Sequence, residues 1–419
     1  MHLFIVWLFV SAPCSILFRL LPQQPKFVWM KHILSIIWCL AFYLTTFGYK
    51  SLSLAIPPIL IVWIAGKYLH SFPQRKTRIT IAIWIFCMLY LAGFHIHRMI
   101  TYWMQSVIDP STVQMMITIK ITQFITQVYY NRHQSDNYPS FIEWLGFICF
   151  IPSFLAGPVL NFDEYKNFID AEQKRFRDTP GIKTSAYKLA ILVILYLIGN
   201  TIWPTEVLLT KEFLKSSLSS KILGIYITML VYRIKLYGVW TIAEIGYILS
   251  GASPFVQYKG RNQDILDIEC PQNPYGVWNG WNKKTNIWLK ECIYLPVSKH
   301  YPKLYAILAT NLVSAFWHGF YPGYYITFLI AGSITFQARM WRKQITSRIE
   351  NLQNSFVNQL YNRICIFTLA VTMPFAQIPF TIYSIEHTLL IYNSVYWYGA
   401  IVLLTGWIVL LVVPPSNNK

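Results

Sequence analysis

Long blocks of apolar residues recur along the whole chain and are separated by short polar segments. A helix that crosses the hydrocarbon core of a bilayer needs about 20 mostly apolar residues. The blocks that approach this length predict membrane helices at Leu3–Leu21, Ile33–Gly48, Leu52–Gly66, Ile79–Phe94, Phe141–Leu160, Ala190–Trp203, Ile222–Tyr232, Leu304–Trp317, Tyr324–Phe336, Ile364–Tyr383 and Leu389–Val413. Val113–Tyr130 is a weaker candidate, because Lys120 and three glutamines interrupt it. We therefore predict an all-α, polytopic integral membrane protein with about eleven transmembrane or re-entrant helices.

Several of these blocks are too short or too polar for a simple crossing of the bilayer. Irregular backbone at membrane depth is tolerated only where protein buries it or where it lines a water-filled cavity. We therefore expect the helices to surround an internal cavity. The sequence contains no visible internal repeat, which argues against a transporter built from inverted repeats.

Composition and charge agree with a membrane location. The chain has 419 residues, 55% of them hydrophobic and 12% charged, whereas a soluble domain carries roughly a quarter charged residues. The formal net charge is +18, and basic residues lie between apolar blocks, as Arg75, Lys76 and Arg78 do. This placement favours cytoplasmic loops that follow the positive-inside bias over a nucleic-acid partner, with a basic vestibule for a polyanionic substrate as a second interpretation. The seven cysteines show no CxxC spacing and predict no metal site.

His318 is the first candidate for chemistry, because it ends the apolar block Leu304–Trp317. On a helix, Asn311 and Ser314 share its face. A polar stripe in an apolar segment should face the protein interior, where histidine is either a structural group or a proton acceptor near neutral pH. Gly319 and Gly323 follow and favour the second interpretation, since glycine lets the chain turn and lets a ligand approach the backbone.

A second candidate site lies in the longest polar stretch, which runs from Gln257 to Lys303 and contains three tryptophans within eleven residues. At helical spacing, Asn282, Thr285 and Asn286 share one face, beside Trp281 and Trp288. Asn282 is either the N-cap of a helix or a hydrogen-bonding group that points into a cavity. The nearby basic residues are topology signals or neighbours of an anionic group: Lys283, Lys284 and Lys290.

A third stretch places Arg233, Tyr237 and Glu244 near one helical face. A carboxylate and a guanidinium inside an apolar region usually pair, because either charge alone is costly there. A buried ion pair between Arg233 and Glu244 is therefore one interpretation, and the lining of a head-group pocket is the other. The sequence contains no GxSxG, P-loop, HExxH or GxGxxG motif, so a covalent serine route has no support.

These stretches resemble motifs of the membrane-bound O-acyltransferase family. Residues Ser314–Phe328 resemble the WHGxxxGYxxxF signature of its lysophospholipid acyltransferases, and the segment from Trp281 to Leu289 resembles their WNxxTxxWL signature. Tyr232–Gly251 and Ile151–Pro158 resemble further family regions. The asparagine and the histidine are 36 positions apart, and the likeness covers residues 140–336. The first apolar blocks show no match, and Cys292 stands where these enzymes often have an aromatic residue.

The resemblance implies a single membrane domain over residues 1–419, with N-terminal helices in 1–135, a catalytic region in 140–336 and C-terminal transmembrane helices in 364–413. It implies transfer of a fatty acyl group from acyl-CoA to the free hydroxyl of a lysophospholipid, inside a chamber, in the endoplasmic reticulum membrane. His318 would be the general base, Asn282 would position the substrate or stabilise the oxyanion, and neither a metal nor a cofactor is required. The residues expected to line the substrate site are Trp281, Thr285, Asn286, Trp288, Asn311, Ser314, Trp317, Gly319, Gly323, Tyr324, Arg233, Tyr237 and Glu244.

Three other functions stay open at this point. The acceptor could be a sterol, a diacylglycerol or a protein. The chain could instead be a transporter or a lipid scramblase, although few acidic residues lie in its predicted spans. It could also be a lipid-binding protein without catalytic activity.

Overall fold

The structure is a computed structural model that describes residues 2–22, 24–71, 76–105, 107–130, 138–171, 179–271 and 274–414. Within these ranges the regular structure is helical and contains no strand, which confirms the predicted all-α class. Arg75 of the basic cluster lies outside the described residues.

Each predicted apolar block overlaps one or more helices, and further short helices lie between the blocks. The N-terminal ones are α1 (His2–Cys14), α2 (Leu17–Leu20), α3 (Val28–Thr46), α4 (Gly48–Ser71), α5 (Lys76–Thr101), α6 (Pro110–Tyr129), α7 (Phe141–Ile148), α8 (Ile151–Phe154), α9 (Phe162–Asp170), α10 (Ile182–Ile202) and α11 (Lys211–Lys215). The C-terminal ones are α12 (Leu218–Ser250), α13 (Ile265–Glu269), α14 (Pro274–Gly280), α15 (Lys283–Leu289), α16 (Leu295–His300), α17 (Lys303–His318), α18 (Pro322–Trp341), α19 (Ser347–Asn351), α20 (Ser355–Ile382), α21 (Ile385–Ser394) and α22 (Tyr398–Val412).

Fewer helices than expected are long and apolar enough to cross a membrane. Among the described residues there are 7 such helices, or up to 8 if α21 and α22, which meet at a 76° bend, form one span. The predicted number of about eleven is not confirmed. The block Phe141–Leu160 folds as two short helices of 8 and 4 residues, and α17 has only 16 residues.

The chain forms two compact units, which we describe separately. The first contains Met1–Ile191, Gly238–Asn262 and Lys283–Trp288, and the second contains Leu192–Tyr237, Gln263–Asn282 and Leu289–Lys419.

Lys120, which weakens the apolar pattern of α6, has a structural role in the first unit. Its side chain is 1% exposed, and its Nζ donates hydrogen bonds to the carbonyl oxygens of Phe147 and Ile148 at 2.9 and 2.7 Å. These carbonyls belong to the last turn of α7, where intrahelical donors are missing and a positive charge is favourable. A buried lysine thus allows α7 to end inside the unit.

In the second unit, α20 continues through two prolines, Pro374 and Pro379. Pro379 has no N–H group, so the carbonyl oxygen of Phe375 loses its intrahelical donor. The hydroxyl of Tyr392 donates to this oxygen at 3.0 Å, and its ring stacks on Phe375 at 3.9 Å. The hydrogen bond from Tyr392 of α21 replaces the one that Pro379 cannot make. The helix α20 therefore continues past the proline, beside α18.

Candidate functional site

The helix α17 presents His318 at its last position. The chain leaves the helix at Gly319, which has φ 126° and ψ −162°, a conformation that only glycine adopts readily. The Gly319 amide closes the helix by donating to the carbonyl oxygens of Ala315 and Phe316, both at 3.1 Å. Gly319 therefore permits the turn, as expected.

The His318 imidazole is half-buried among aromatic rings. The ring centroid of Phe328 is 5.3 Å away in a stacked arrangement, and that of Phe380 is 4.9 Å away and edge-on. Trp317 and Tyr324 complete the surroundings at 4.6 and 5.7 Å. We call these four side chains the aromatic shell of His318. Such contacts fix the plane of the imidazole within an apolar environment.

The polar stripe on α17 faces protein, as expected. Ser314 is buried, and Asn311 donates through Nδ2 to the carbonyl oxygen of Ile307 at 2.8 Å. A Cβ atom on Gly332 of α18 would lie 3.2 Å from the same Nδ2 atom. The interior face of α17 therefore packs against α18.

Gly323 does not make room for a ligand, in contrast to the expectation from the sequence. A Cβ atom at this position would overlap the carbonyl oxygen of Pro379 in α20. The backbone of another helix occupies the space, so glycine is required here for the close approach of α18 and α20.

Arg233 pairs with Glu269, and the suggested pair with Glu244 does not form. The guanidinium makes a two-pronged contact with the Glu269 carboxylate at 2.7 and 2.6 Å, and its Nη1 donates to Gln377 at 3.2 Å. Tyr237 donates its hydroxyl to the same carboxylate at 2.6 Å. Arg233 and Glu244 are eleven positions apart on α12, which corresponds to about 16 Å along a helix, too far for a salt bridge.

Glu244 has its own partners in the first unit. Its buried carboxylate accepts a hydrogen bond from Ser185 at 3.0 Å and forms ion pairs with Lys188 and with Arg261. Arg233 and Glu244 therefore belong to two different clusters of side chains, and the predicted helix face does not bring them into one pocket.

Asn282 directly precedes α15 in the chain. Its backbone is left-handed, with φ 41°, whereas an N-cap residue is typically extended. The side chain of Asn262 accepts the hydrogen bond from the Lys284 amide at 3.1 Å, and the Asn262 carbonyl accepts from the Lys283 amide at 2.9 Å. Asn262 therefore accepts hydrogen bonds from two of the first amides of α15.

The residues of α15 are mostly held by the first unit. Trp288 is fully buried, donates through Nε1 to Thr122 at 3.0 Å and stacks on Trp84 at 5.9 Å. Lys284 is buried too, and its ammonium contacts both carboxylate oxygens of Glu164 at 2.7 Å. Thr285 is buried and Asn286 is half-buried. Lys284 is therefore neither a topology signal nor a contact for an anionic ligand, and Trp288 is a packing residue.

Within the second unit, a series of contacts joins Gln377 on α20 to Trp281, which precedes Asn282 in the chain. Phe380 of the aromatic shell lies three positions after Gln377 on α20, and residues at this spacing share a helix face. Gln377 accepts from Arg233, whose partner Glu269 also binds Tyr237. The Tyr237 ring then contacts Trp281 edge-on at 6.1 Å, next to Asn282 in the chain.

Phe380, Gln377 and Asn262 were not predicted as site residues, because they lie outside the recognised motifs. Glu269 lies in the polar stretch from Gln257 to Lys303, but its pairing with Arg233 depends on the fold. Among the described residues, no group of three or more His, Cys, Asp or Glu side chains is placed to hold a metal ion.

Comparison with known proteins agrees with the motifs. Residues 27–373 match the model of the MBOAT, membrane-bound O-acyltransferase family. A Schizosaccharomyces pombe protein named lysophospholipid acyltransferase is 29% identical over 81% of this chain and 72% of its own length. A Saccharomyces cerevisiae protein of the same name is 27% identical over 76% of this chain and 60% of its own length. Arabidopsis thaliana lysophospholipid acyltransferase 1 is 28% identical over 79% of both chains.

The family match covers most of the chain and includes α15, α17 and α18, which carry the two signatures. It also agrees with the apolar helices, since the family consists of membrane-bound enzymes. The resemblance drawn from the motifs is confirmed: this chain belongs to the membrane-bound O-acyltransferase family.

Proposed function

We propose that this protein transfers a fatty acyl group from acyl-CoA to the free hydroxyl of a lysophospholipid, with His318 as general base and Asn282 as a hydrogen-bonding group at the reacting centre. The observation that carries the proposal is the half-buried imidazole of His318 at the end of a helix, within an aromatic shell formed mostly by residues of its own signature. The names of the relatives support a lysophospholipid as the acceptor.

The proposed reaction is a direct transfer. His318 takes the proton from the acceptor hydroxyl while the oxygen attacks the thioester carbonyl, and a positioned base of this kind typically contributes about 10²–10⁴-fold. The tetrahedral intermediate collapses with breakage of the C–S bond, and the CoA sulfur receives the proton from His318. The ester is formed and free CoA leaves, without an acyl-enzyme.

Asn282 would donate from its carboxamide to the thioester oxygen as negative charge develops there, or hold the acceptor in place. Loss of one such donor typically costs about 10²–10³-fold. Its left-handed backbone supports this role, because an N-cap residue is typically extended.

The aromatic shell suits this chemistry in two ways. It limits rotation of the imidazole, so that the base stays oriented toward one direction of approach. It also limits access of water to a reactive thioester, which would otherwise be lost to hydrolysis. Packed aromatic rings provide both effects, and no further charged group beside the imidazole is needed for them.

The test is an acyl transfer assay on membranes of cells that lack the endogenous activity and express the full chain. From its family we expect the protein in the endoplasmic reticulum membrane. Labelled acyl-CoA is offered with a panel of lysophospholipids and with a sterol, a diacylglycerol and a peptide. We expect ester formation on a lysophospholipid, and turnover lower by about 10²–10⁴-fold in His318→Ala. Full turnover in a normally inserted His318→Ala would exclude the base, and transfer only to another acceptor would exclude the proposed substrate class.

A further inference from the structure

An exposed turn in the first unit has an unusual backbone. Tyr258 (φ 57°, ψ 19°) and Lys259 (φ 56°, ψ 31°) are both left-handed, and Gly260 follows with φ 79°. Left-handed backbone costs roughly 1–2 kcal/mol at each residue other than glycine. Two such residues in succession require neighbours that hold the turn in place.

The surrounding residues supply that support. The Gln257 amide donates to Glu164 at 2.8 Å, and the Ser253 hydroxyl donates to the Lys259 carbonyl oxygen at 3.0 Å. A Cβ atom at Gly260 would lie 2.8 Å from the Tyr247 ring, so the turn packs tightly on the unit. The turn is therefore a rigid feature of the surface.

The turn presents positive charge and an aromatic ring to solvent. Tyr258 is 46% exposed, Lys259 is exposed, and the side chain of Arg261 is 60% exposed although its Nε atom contacts Glu244 at 3.3 Å. The ammonium of Lys283 lies 4.9 Å from the centre of the Tyr258 ring. Lys259 forms no ion pair within the part of the chain that the structure describes.

This surface is joined to the beginning of α15. The Lys283 amide donates to the carbonyl oxygen of Asn262, and Lys283 directly follows Asn282 in the chain. The turn carries Lys259 and Arg261, and Lys283 is the residue that follows Asn282 in the chain. Basic residues that only set the membrane topology do not need a defined backbone conformation. This turn, by contrast, is strained and is held in place by its neighbours.

We propose that Lys259, Arg261 and Lys283 bind a phosphate group of a substrate. This inference rests on the proposed function, since both substrates of that reaction carry phosphate: the lysophospholipid in its head group and acyl-CoA in its nucleotide part. Arginine and lysine are the side chains that bind phosphate best, arginine through its planar fork and lysine as a point charge. Lys284 pairs with Glu164 and Lys188 pairs with Glu244, while Arg261 contacts Glu244 through Nε, the guanidinium nitrogen nearest the main chain.

The test compares the wild-type chain with Lys259→Ala/Arg261→Ala in reconstituted membranes. The KM for lysophospholipid is measured at saturating acyl-CoA, and the KM for acyl-CoA at saturating lysophospholipid. We expect one of them to rise about tenfold while kcat stays within about twofold, because charged hydrogen bonds to one phosphate are lost. The substrate whose KM rises identifies the source of the phosphate.

A matched control removes two charges elsewhere: Lys211→Ala/Lys215→Ala, at exposed positions of α11. This control should keep both KM values, and thermal unfolding of each variant reports any damage to the Glu244 cluster. Monoacylglycerol offers the same hydroxyl without a phosphate. If the head group is the ligand, the preference for lysophospholipid over monoacylglycerol should shrink about tenfold in the test variant.

A binding measurement separates this inference from the proposed function. The purified full chain is titrated with CoA and with a soluble short-chain lysophospholipid. A Kd that rises about tenfold for one ligand in Lys259→Ala/Arg261→Ala supports the phosphate site even if the wild type shows no turnover. Unchanged Kd and KM values for both ligands in a folded variant would overturn it, whatever the activity.

Discussion

In the signature that contains His318, the aromatic residues contact the imidazole itself. In the signature that contains Asn282, Trp288 packs against other helices instead. Trp317, Tyr324 and Phe328 lie within 5.7 Å of the His318 ring, measured between centroids. Trp288, by contrast, binds Thr122 of α6 and stacks on Trp84 of α5.

The difference shows that a sequence signature mixes two kinds of constraint. In the histidine signature, several positions shape the surroundings of one proposed reacting group. In the asparagine signature, Trp288 and its neighbour Lys284 attach a short helix of 7 residues to the first unit. Substitutions in the first region should therefore change turnover, and those in α15 should change stability first.

The largest effect on stability is expected for Lys284→Met. It leaves the Glu164 carboxylate, which is 12% exposed, without its cation, and breaking a buried ion pair on one side costs about 3–5 kcal/mol. Thermal or denaturant unfolding in detergent measures the loss. Lys290→Met, at an exposed position, is the control and should leave stability unchanged. A stable Lys284→Met with reduced turnover would show that Lys284 acts on a substrate.

A smaller loss is expected for Gly323→Ala, where the new Cβ atom overlaps the Pro379 carbonyl oxygen. Overpacking of this kind costs about 1–3 kcal/mol. Because Tyr324 and Phe380 border the contact, turnover should fall together with stability. Gly238→Ala is the matched control, since a Cβ atom there meets nothing within 4 Å. A fully active and stable Gly323→Ala would mean that α18 and α20 separate easily, and that the aromatic shell is loose.

The helices were predictable because apolar length is a property of the local sequence. Phe141–Leu160 was predicted as one span and contains a break after Ile148, because its apolar composition does not distinguish one long helix from two short ones. Lys120 was noted only as an interruption, although its charge is what satisfies the end of α7.

The pairing of buried charges was not predictable in the same way. Helical spacing placed Arg233 and Glu244 near one face, but the partner of Arg233 is Glu269, which belongs to α13. Lys284 likewise pairs with Glu164, 120 positions earlier in the chain. Spacing identifies which residues share a helix face, and it carries no information about which distant segment lies opposite.

The capping of α15 gives a prediction that sharpens the role of Asn282. Asn262→Ala removes the oxygen that accepts from the Lys284 amide, and loss of a cap costs about 1 kcal/mol. Turnover for each folded molecule should stay close to that of the wild type. Asn282→Ala should behave in the opposite way, with little change in stability and turnover lower by about 10²–10³-fold. If both variants lose stability equally, Asn282 supports the fold.

The smallest effect is expected for the contact between Trp288 and Thr122, and it requires a double-mutant cycle. Trp288→Phe loses the N–H donor together with packing volume, and Thr122→Val loses the acceptor while keeping a similar shape. The two changes should be coupled by about 0.5–1.5 kcal/mol, the usual contribution of one hydrogen bond. Thr122→Ser retains the hydroxyl and should restore the coupling. Because the indole is fully buried against protein, turnover for each folded molecule should not change. A loss of turnover in Trp288→Phe at wild-type stability would assign this signature residue to the chemistry after all.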